Sequence, residues 1–246
     1  MYEKPAADSL RIRRRPRLAE AVVEDVVKAI VTETYPAGTA LPPEGMLGDM
    51  YGVSRTVVRE ATMALTEKGL VVSQQGRGTI VRESSGWDML DPLILGALFQ
   101  REDGLRYLDN LSEIRSLLEG QMTYKAAESH TPEQLAELSQ QMAKLESLIP
   151  HPAAYVHEDV AFHDIIMRIS GDKLSKAVID GLQSEALRNH GYSGRLNEEH
   201  IRATHTAHEM IFDAIRKGNG PAARKAMRDH IESSWARRRA ARTSED

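Results

Sequence analysis

Cysteine is absent from the sequence, so thiolate metal sites, thiol nucleophiles and disulfides are excluded, and a metal ion would have to be held by imidazole and carboxylate. Nine histidines are available. Asp159 and His163 stand four residues apart, a spacing that turns both side chains to one side of a helix. His208 and His230 fall on the segments that read as the penultimate and last helices. A carboxylate with three imidazoles, Asp159 with His163, His208 and His230, suits a divalent ion of the zinc, nickel or manganese type. Imidazole favours the first two, and zinc is the expected occupant. The same Asp/His spacing is also that of an ordinary surface pair, and spacing alone leaves both readings open. His130, His151, His157, His190 and His200 lie near helix ends or in polar stretches and read as solvated. A second set of residues is polar and basic. Ser54, Arg55, Thr56 and Arg59 stand just beyond Gly52, and Gln75-Gly76-Arg77-Gly78 follows downstream. An arginine can fork onto guanine O6 and N7, worth about 1–3 kcal/mol of base discrimination.

These residues need elements to hold them. Leu18, Val22, Val26, Ala29 and Ile30 form a helical stripe, broken by Tyr35-Pro36-Ala37-Gly38. Pro43 suits the first turn of a short helix that Gly52 ends near Tyr51. Ser54 is placed to cap the next helix, with Val57, Ala61, Ala64 and Leu65 on its inner face and Gly69 as its terminator. Residues 70–73 and 79–81 read as two strands around a glycine-rich tip. Three short helices and a hairpin describe a winged helix-turn-helix, in which the helix after the turn enters the major groove with its N-terminal residues on the bases. That places Arg55, Thr56 and Arg59 at bases and 75–78 at the wing tip. Alone, two arginines on a helix are more often a solvated face; the turn before them and the wing after them favour DNA.

Beyond Arg82 the sequence reads as helix throughout. Leu105–Ser129 carries Leu108, Leu111, Ile114, Leu118 and Met122 at helical spacing, and Thr131-Pro132-Glu133-Gln134 is a capping box. Further helices are expected over 153–169, 173–189, 198–217 and 221–239. The fold expected is mainly α: a winged helix-turn-helix over 1–84, a linker over 85–94 and an all-α helical-bundle sensor over 95–240. Residues 1–16 are expected to be a disordered arm, and Arg11, Arg13, Arg14, Arg15 and Arg17 make this end basic.

Hydrophobic residues are 41% of the chain and charged residues 28%, enough for real cores in a soluble protein. No apolar stretch approaches the roughly 20 residues of a membrane span, and the charged N-terminus lacks a signal-peptide run. A cytoplasmic protein without membrane contact is expected. The net charge of −4 divides unevenly: residues 1–84 hold twelve basic against eleven acidic residues, and the rest twenty against twenty-five. Phosphate attraction is local, so the acidic remainder does not argue against DNA.

Leu41-Pro42-Pro43-Glu44, then Gly52-Val53-Ser54-Arg55-Thr56-Val57-Val58-Arg59-Glu60-Ala61, then Gly76-Arg77-Gly78-Thr79 resembles the GntR family of bacterial regulators. The resemblance implies DNA contacts from Arg55, Thr56, Arg59, Arg77 and the wing glycines, a homodimer, and a palindromic double-stranded operator. The family usually has arginine directly after the motif's glutamate; here Gly45 stands instead. Asp159-x-x-x-His163, Ala207-His208-x-x-Ile211-x-x-Ala214-Ile215 and Asp229-His230 are similar to the ligand domain of the FadR subfamily. In its metal-binding members these positions hold an ion inside a helical bundle. The same resemblance assigns Arg115, in Glu113-Ile114-Arg115-x-x-Leu118-Glu119, to the carboxylate of a small effector. Arginine is permanently charged and grips a carboxylate with two parallel hydrogen bonds. On the residues alone, a surface ion pair with Glu119, four residues on, is the preferred reading of Arg115. Thr204, one turn before His208, offers a hydroxyl to the effector, and Arg188, Asn189 and Arg195 are weaker candidates. Trp87-x-x-Leu90-Asp91-Pro92 resembles the sensor entry of members that answer to sugar acids. The expected function is a ligand-responsive repressor, released from its operator by a small carboxylate. The competing readings are a metal-free acyl-ligand sensor and a metal-dependent enzyme with Glu158, Asp164 or His205 as base.

Overall fold

The computed structural model describes residues 15–188 and 197–243. Arg11, Arg13 and Arg14 of the basic arm, together with Asn189, His190 and Arg195, lie outside them. The chain divides into two compact units, Met1–Arg101 and Glu102–Asp246.

In the first unit, α1 (Arg15–Val31), α2 (Glu44–Tyr51) and α3 (Arg55–Glu67) precede an antiparallel hairpin of β1 (Val71–Gln74) and β2 (Gly78–Val81). Val22, Val26, Val27 and Ile30 of α1 are buried, as are Val57, Val58, Ala61 and Leu65 of α3, and the two helices pack together. Leu18, expected on the inner stripe, is 49% exposed. Gly52 closes α2 in the left-handed conformation (φ 63°), and Ser54 then caps α3 by accepting from the Val57 amide at 3.4 Å. Gly69 (φ 75°) must be glycine for a second reason: a side chain there would run into the Gly86 carbonyl. The hairpin pairs Val71 with Val81 and Gln74 with Gly78, and a bridge from Ala40 to Ile80 widens it.

The stretch expected as a linker is built into this unit. Asp91 caps α4 (Pro92–Gln100), one oxygen accepting from the Leu93 and Ile94 amides at 3.0 and 3.3 Å and the other paired with Lys68 at the end of α3. The Asp88 amide also bonds the Lys68 carbonyl at 2.9 Å. α4 buries Ile94, Leu95, Leu98 and Phe99 and packs on α1, and Arg101 bonds the Val31 carbonyl. The apolar run 93–95 needs a partner, and α1 supplies it. The division therefore falls between Arg101 and Glu102, after 85–94.

The second unit is helical: α5 (Leu105–Ser129), α6 (Pro132–Ser147), α7 (Pro152–Ile169), α8 (Lys173–Arg188), α9 (Glu198–Arg216) and α10 (Gly220–Thr243). The capping box forms as expected, with Thr131 and Gln134 bonded reciprocally. α5 and α10 make the most extensive helix pairing. Gly120 lets them approach, since a Cβ there would lie 2.8 Å from the Arg228 side chain. Tyr155, Phe162, Ile166, Leu138, Leu145, Ile211, Ile215 and Met227 form the core. The inner face of α5 departs from the apolar stripe: Ile114 is 37% exposed, whereas Ser112, Arg115, Ser116, Glu119 and Thr123 are buried. Buried polar groups persist where they satisfy one another or a ligand: Arg115 pairs with Glu119, Ser116 bonds Glu232 on α10, and Thr123 donates to the Glu119 carbonyl. No helix of the described residues is long and apolar enough to cross a membrane.

Candidate metal centre and nucleic-acid face

α7 supplies Asp159 and His163, α9 supplies His208 and α10 supplies His230; each offers one donor atom, and all four atoms lie within 4.8 Å of one another. The Nε2 of His230 is 3.2 Å from that of His163 and 3.2 Å from that of His208. Asp159 Oδ1 lies 3.1 Å from His208 Nε2 and 4.0 Å from His163 Nε2. The three histidines are buried, at 0–4% exposure.

Behind the donors stand residues that sequence reasoning missed. Glu119 Oε2 lies 2.6 Å from His163 Nδ1, and its other oxygen accepts from Arg115 Nε at 2.6 Å. Tyr155 Oη lies 3.1 Å from His208 Nδ1 and 3.3 Å from His205 Nδ1. Tyr155, Asp159 and His163 recur every fourth residue along α7, a signal that was present in the sequence. Glu119 appeared there only as an ion partner of Arg115, because its contact with His163 crosses between helices.

Burial alone would raise the Glu119 carboxyl, but the charges and hydrogen bonds of Arg115 and His163 outweigh it and hold the group at about 2. Asp159 is likewise disfavoured by burial yet held well below the usual carboxylate range by the three histidines. Burial lowers His208 despite Asp159, and lowers His230 further with help from the neighbouring rings. Both are therefore neutral at pH 7, the form that ligates.

The donors fit a cation on their own geometry. Asp159 Oδ1 is buried and makes no well-aligned hydrogen bond among the described residues, although His208 Nε2 stands 3.1 Å away. A carboxylate can only accept, so the contact with Glu119 keeps a proton on His163 Nδ1, which in the uncharged ring leaves the lone pair on Nε2. A buried carboxylate oxygen surrounded by three imidazole nitrogens, each able to present a lone pair when its other nitrogen carries the proton, is satisfied by a positive ion among them.

Ser112, Arg115, Asp159, His163, His230 and Trp235 line a cavity of about 20 Å³ beside the donors, room for a single water. Arg115 and Glu119 do form the expected pair, but it is buried, not a surface pair. Thr204 is half-buried and is not among the cavity's lining residues. The side chain of Arg188 is not described. His205 is buried against Tyr155. Glu158 is held by Lys144 at 2.8 Å and Gln141 at 3.0 Å, and Asp164 by Lys176 at 2.7 Å and Arg168 at 3.0 Å. His151 and His157 are exposed as expected; His200 is half-buried, with Nδ1 enclosed and without a hydrogen-bond partner.

In the first unit Arg55, Thr56 and Arg59 are exposed on the opening turns of α3. Arg59 meets Glu44 at 2.9 Å, but with side chains 69% and 43% exposed the pair is worth about 0–1 kcal/mol and yields easily to a base or phosphate. The Arg55 guanidinium lies over Gly45, 3.7 Å from where a Cβ would stand, in space that a side chain at 45 would enter. Gly76 (φ 75°) and Gly78 (φ 83°) shape an exposed tip with open space at both, and Arg77 Nη1 donates to Gln74 Oε1 at 3.0 Å.

Residues 18–81 match the bacterial regulatory proteins of the gntR family, and residues 110–233 match the FCD domain. The chain is 30% identical over 225 residues to YieP, an uncharacterized HTH-type transcriptional regulator of Escherichia coli, covering 91% of this chain and 96% of that one. It is 26% identical over 220 residues to the galactonate operon transcriptional repressor of Escherichia coli (89% and 95% covered), and 30% over 241 residues to the repressor NanR of Edwardsiella tarda (94% and 91%). Its fold is similar to the solved structures of Lar from Listeria monocytogenes (TM-score 0.60, 18% identity, 91% and 97% covered) and McbR/YncC from E. coli (0.51, 19%, 91% and 97%). The chain belongs to the GntR family of bacterial regulatory proteins, as a transcription regulator whose winged DNA-binding domain precedes an FCD ligand-binding domain.

Proposed function

We propose that this regulator acts as a homodimeric repressor, holds a divalent ion on Asp159, His163, His208 and His230, and leaves a palindromic operator when a small carboxylate binds beside that ion. The observation that carries this reading is the convergence of a buried Asp159 oxygen, which makes no well-aligned hydrogen bond, with three imidazole nitrogens, all within 4.8 Å of one another. Zinc is the ion that this donor set suits first, with nickel next and manganese less favoured. When bound, the ion supplies a Lewis-acid centre for a carboxylate and a neighbouring hydroxyl. The chain's own part is to orient the effector and exclude water. Arg115 offers the second charge for the carboxylate, and Ser112 lines the same cavity. At about 20 Å³ the cavity is smaller than a sugar acid, so admission requires side chains to move. We assign Thr204 to a second polar group of the effector, reached once the site opens toward α9.

On DNA, Arg55, Thr56 and Arg59 read bases from α3. Arg77, with Gln75, Gly76 and Gly78, follows the adjacent backbone, and Ser54 caps the helix that presents them. In a dimer two such helices reach successive major grooves about 34 Å apart. An effector can weaken this only by its differential affinity for the two states, typically about 1–3 kcal/mol, or roughly 5- to 150-fold. A relative named for the galactonate operon makes galactonate the first probe. Operator binding is measured while galactonate and a panel of other sugar acids are titrated. The reading requires that one of them weaken binding in the metal-loaded protein and fail to do so in His230→Ala. A response that survives that substitution refutes it.

A further inference from the structure

Glu119 is 1% exposed and makes two contacts at 2.6 Å, one from each oxygen: Arg115 Nε on Oε1 and His163 Nδ1 on Oε2. Nothing in the proposed function uses it. We infer that Glu119 is a positioning residue that fixes His163 as its Nδ1–H tautomer, with Nε2 free to ligate, and at the same time anchors the effector-clamping Arg115. The inference rests on the metal reading above and deepens it.

The argument is one of donors and acceptors. An ionised carboxylate has lone pairs only, so its contact with His163 requires a proton on Nδ1. A neutral imidazole carries one proton, which leaves Nε2 as a lone pair directed at Asp159 and His230. A carboxylate behind a ligating imidazole also raises that ligand's basicity. On its other side Glu119 accepts from Nε of Arg115. A carboxylate effector that draws the guanidinium toward itself leaves more of the Glu119 charge on His163. Clamp and ligand are thus joined through one side chain. His208 has a weaker version of the same support, because the Tyr155 hydroxyl can serve as donor or acceptor. His230 Nδ1 has no hydrogen-bond partner among the described residues. Of the three ligating histidines, His163 is the one whose tautomer is dictated.

The test uses full-length protein and zinc alone. In wild-type protein stripped of metal, imidazole nitrogen shifts are expected to show His163 protonated on Nδ1; protonation on Nε2 overturns the inference without any variant. Zinc affinity is then measured by competition with a chromophoric chelator. Glu119→Gln is expected to lose about 10- to 100-fold, because an amide can donate as well as accept and no longer dictates the tautomer. Arg115→Met, which leaves the carboxylate on His163 and removes a nearby positive charge, is expected to tighten zinc. If both variants weaken zinc alike, Glu119 only braces the fold and the positioning role is overturned. Wild-type affinity in Glu119→Gln overturns it as well. Wild-type protein that binds no zinc refutes the metal reading itself, a distinct failure.

Discussion

Replacing Arg115 by alanine separates two physical situations that the sequence could not. An exposed i,i+4 ion pair contributes about 0–1 kcal/mol. Removing one partner of a buried pair costs about 3–5 kcal/mol, because the other charge is left enclosed. Arg115 is 7% exposed and Glu119 1%, and they meet at 2.6 Å. Glu119 retains His163 in the variant, which puts the expected loss near the lower end, about 3 kcal/mol. Arg115 and His163 together hold the Glu119 carboxyl at about 2 rather than 4.5 against its burial. Because the shift is downward, this stability is present above pH 4.5 and is lost as pH falls toward about 2. At roughly 2–4 °C per kcal/mol, the sensor transition should fall by about 6–12 °C at pH 7. The assay is thermal unfolding of the full chain in chelator, followed by near-ultraviolet circular dichroism, with Glu119→Gln and the double variant completing a cycle. A loss below about 1 kcal/mol with no coupling would show that the pair behaves as a surface pair.

Arg55→Ala and Arg59→Ala should each weaken specific operator binding by about 1–3 kcal/mol, whereas Arg77→Ala should reduce the salt dependence of binding by about one phosphate contact. Unchanged affinity in the Arg55/Arg59 double variant, measured by fluorescence anisotropy, rules out the docking of α3. Asp91→Asn keeps a capping oxygen but breaks the partly buried pair with Lys68, and should destabilise the first unit by about 1–3 kcal/mol in urea unfolding. Burial lowers His208 and His230 from their ordinary 6.5, so the unfolded chain binds protons first. The metal-stripped protein should therefore lose stability as pH falls below about 6.5, and a melting temperature that rises between pH 7 and 5 contradicts this. The same shifts move the acid limit of metal binding below the 6.5 expected for free imidazole. Trp235 lines the cavity, so in a Trp87→Phe background its fluorescence should change when effector binds.

Local signals carried far into the fold. Gly52 with Ser54, Gly69, the wing glycines and the Thr131 capping box each act within a few residues, and each stands where its chemistry requires. That Asp159, His163, His208 and His230 converge was also legible, because the first two share a helix face and the family pattern supplied the others. What failed was the assumption that an inner face is apolar. The middle of α5 turns Ser112, Arg115 and Glu119 inward beside the four-residue cluster and Ser116 inward to Glu232 on α10, and Ile114 faces out in consequence. The junction was legible only in part: Glu83-Ser84-Ser85-Gly86 reads as a short polar linker, but the contacts of Asp91, which caps α4 and pairs with Lys68, carry no local signal. Glu119 and Tyr155 support histidines on other helices, and no spacing along the chain encodes a contact between helices.

The most direct test of the account is zinc K-edge X-ray absorption, with elemental analysis, on protein purified without chelator. The account predicts about one divalent ion per chain, with nitrogen and oxygen donors at about 2.0–2.2 Å and no sulfur, and its loss in His208→Ala and His230→Ala. Metal at background level in wild-type protein, with no rise in melting temperature on adding zinc or nickel, would contradict it.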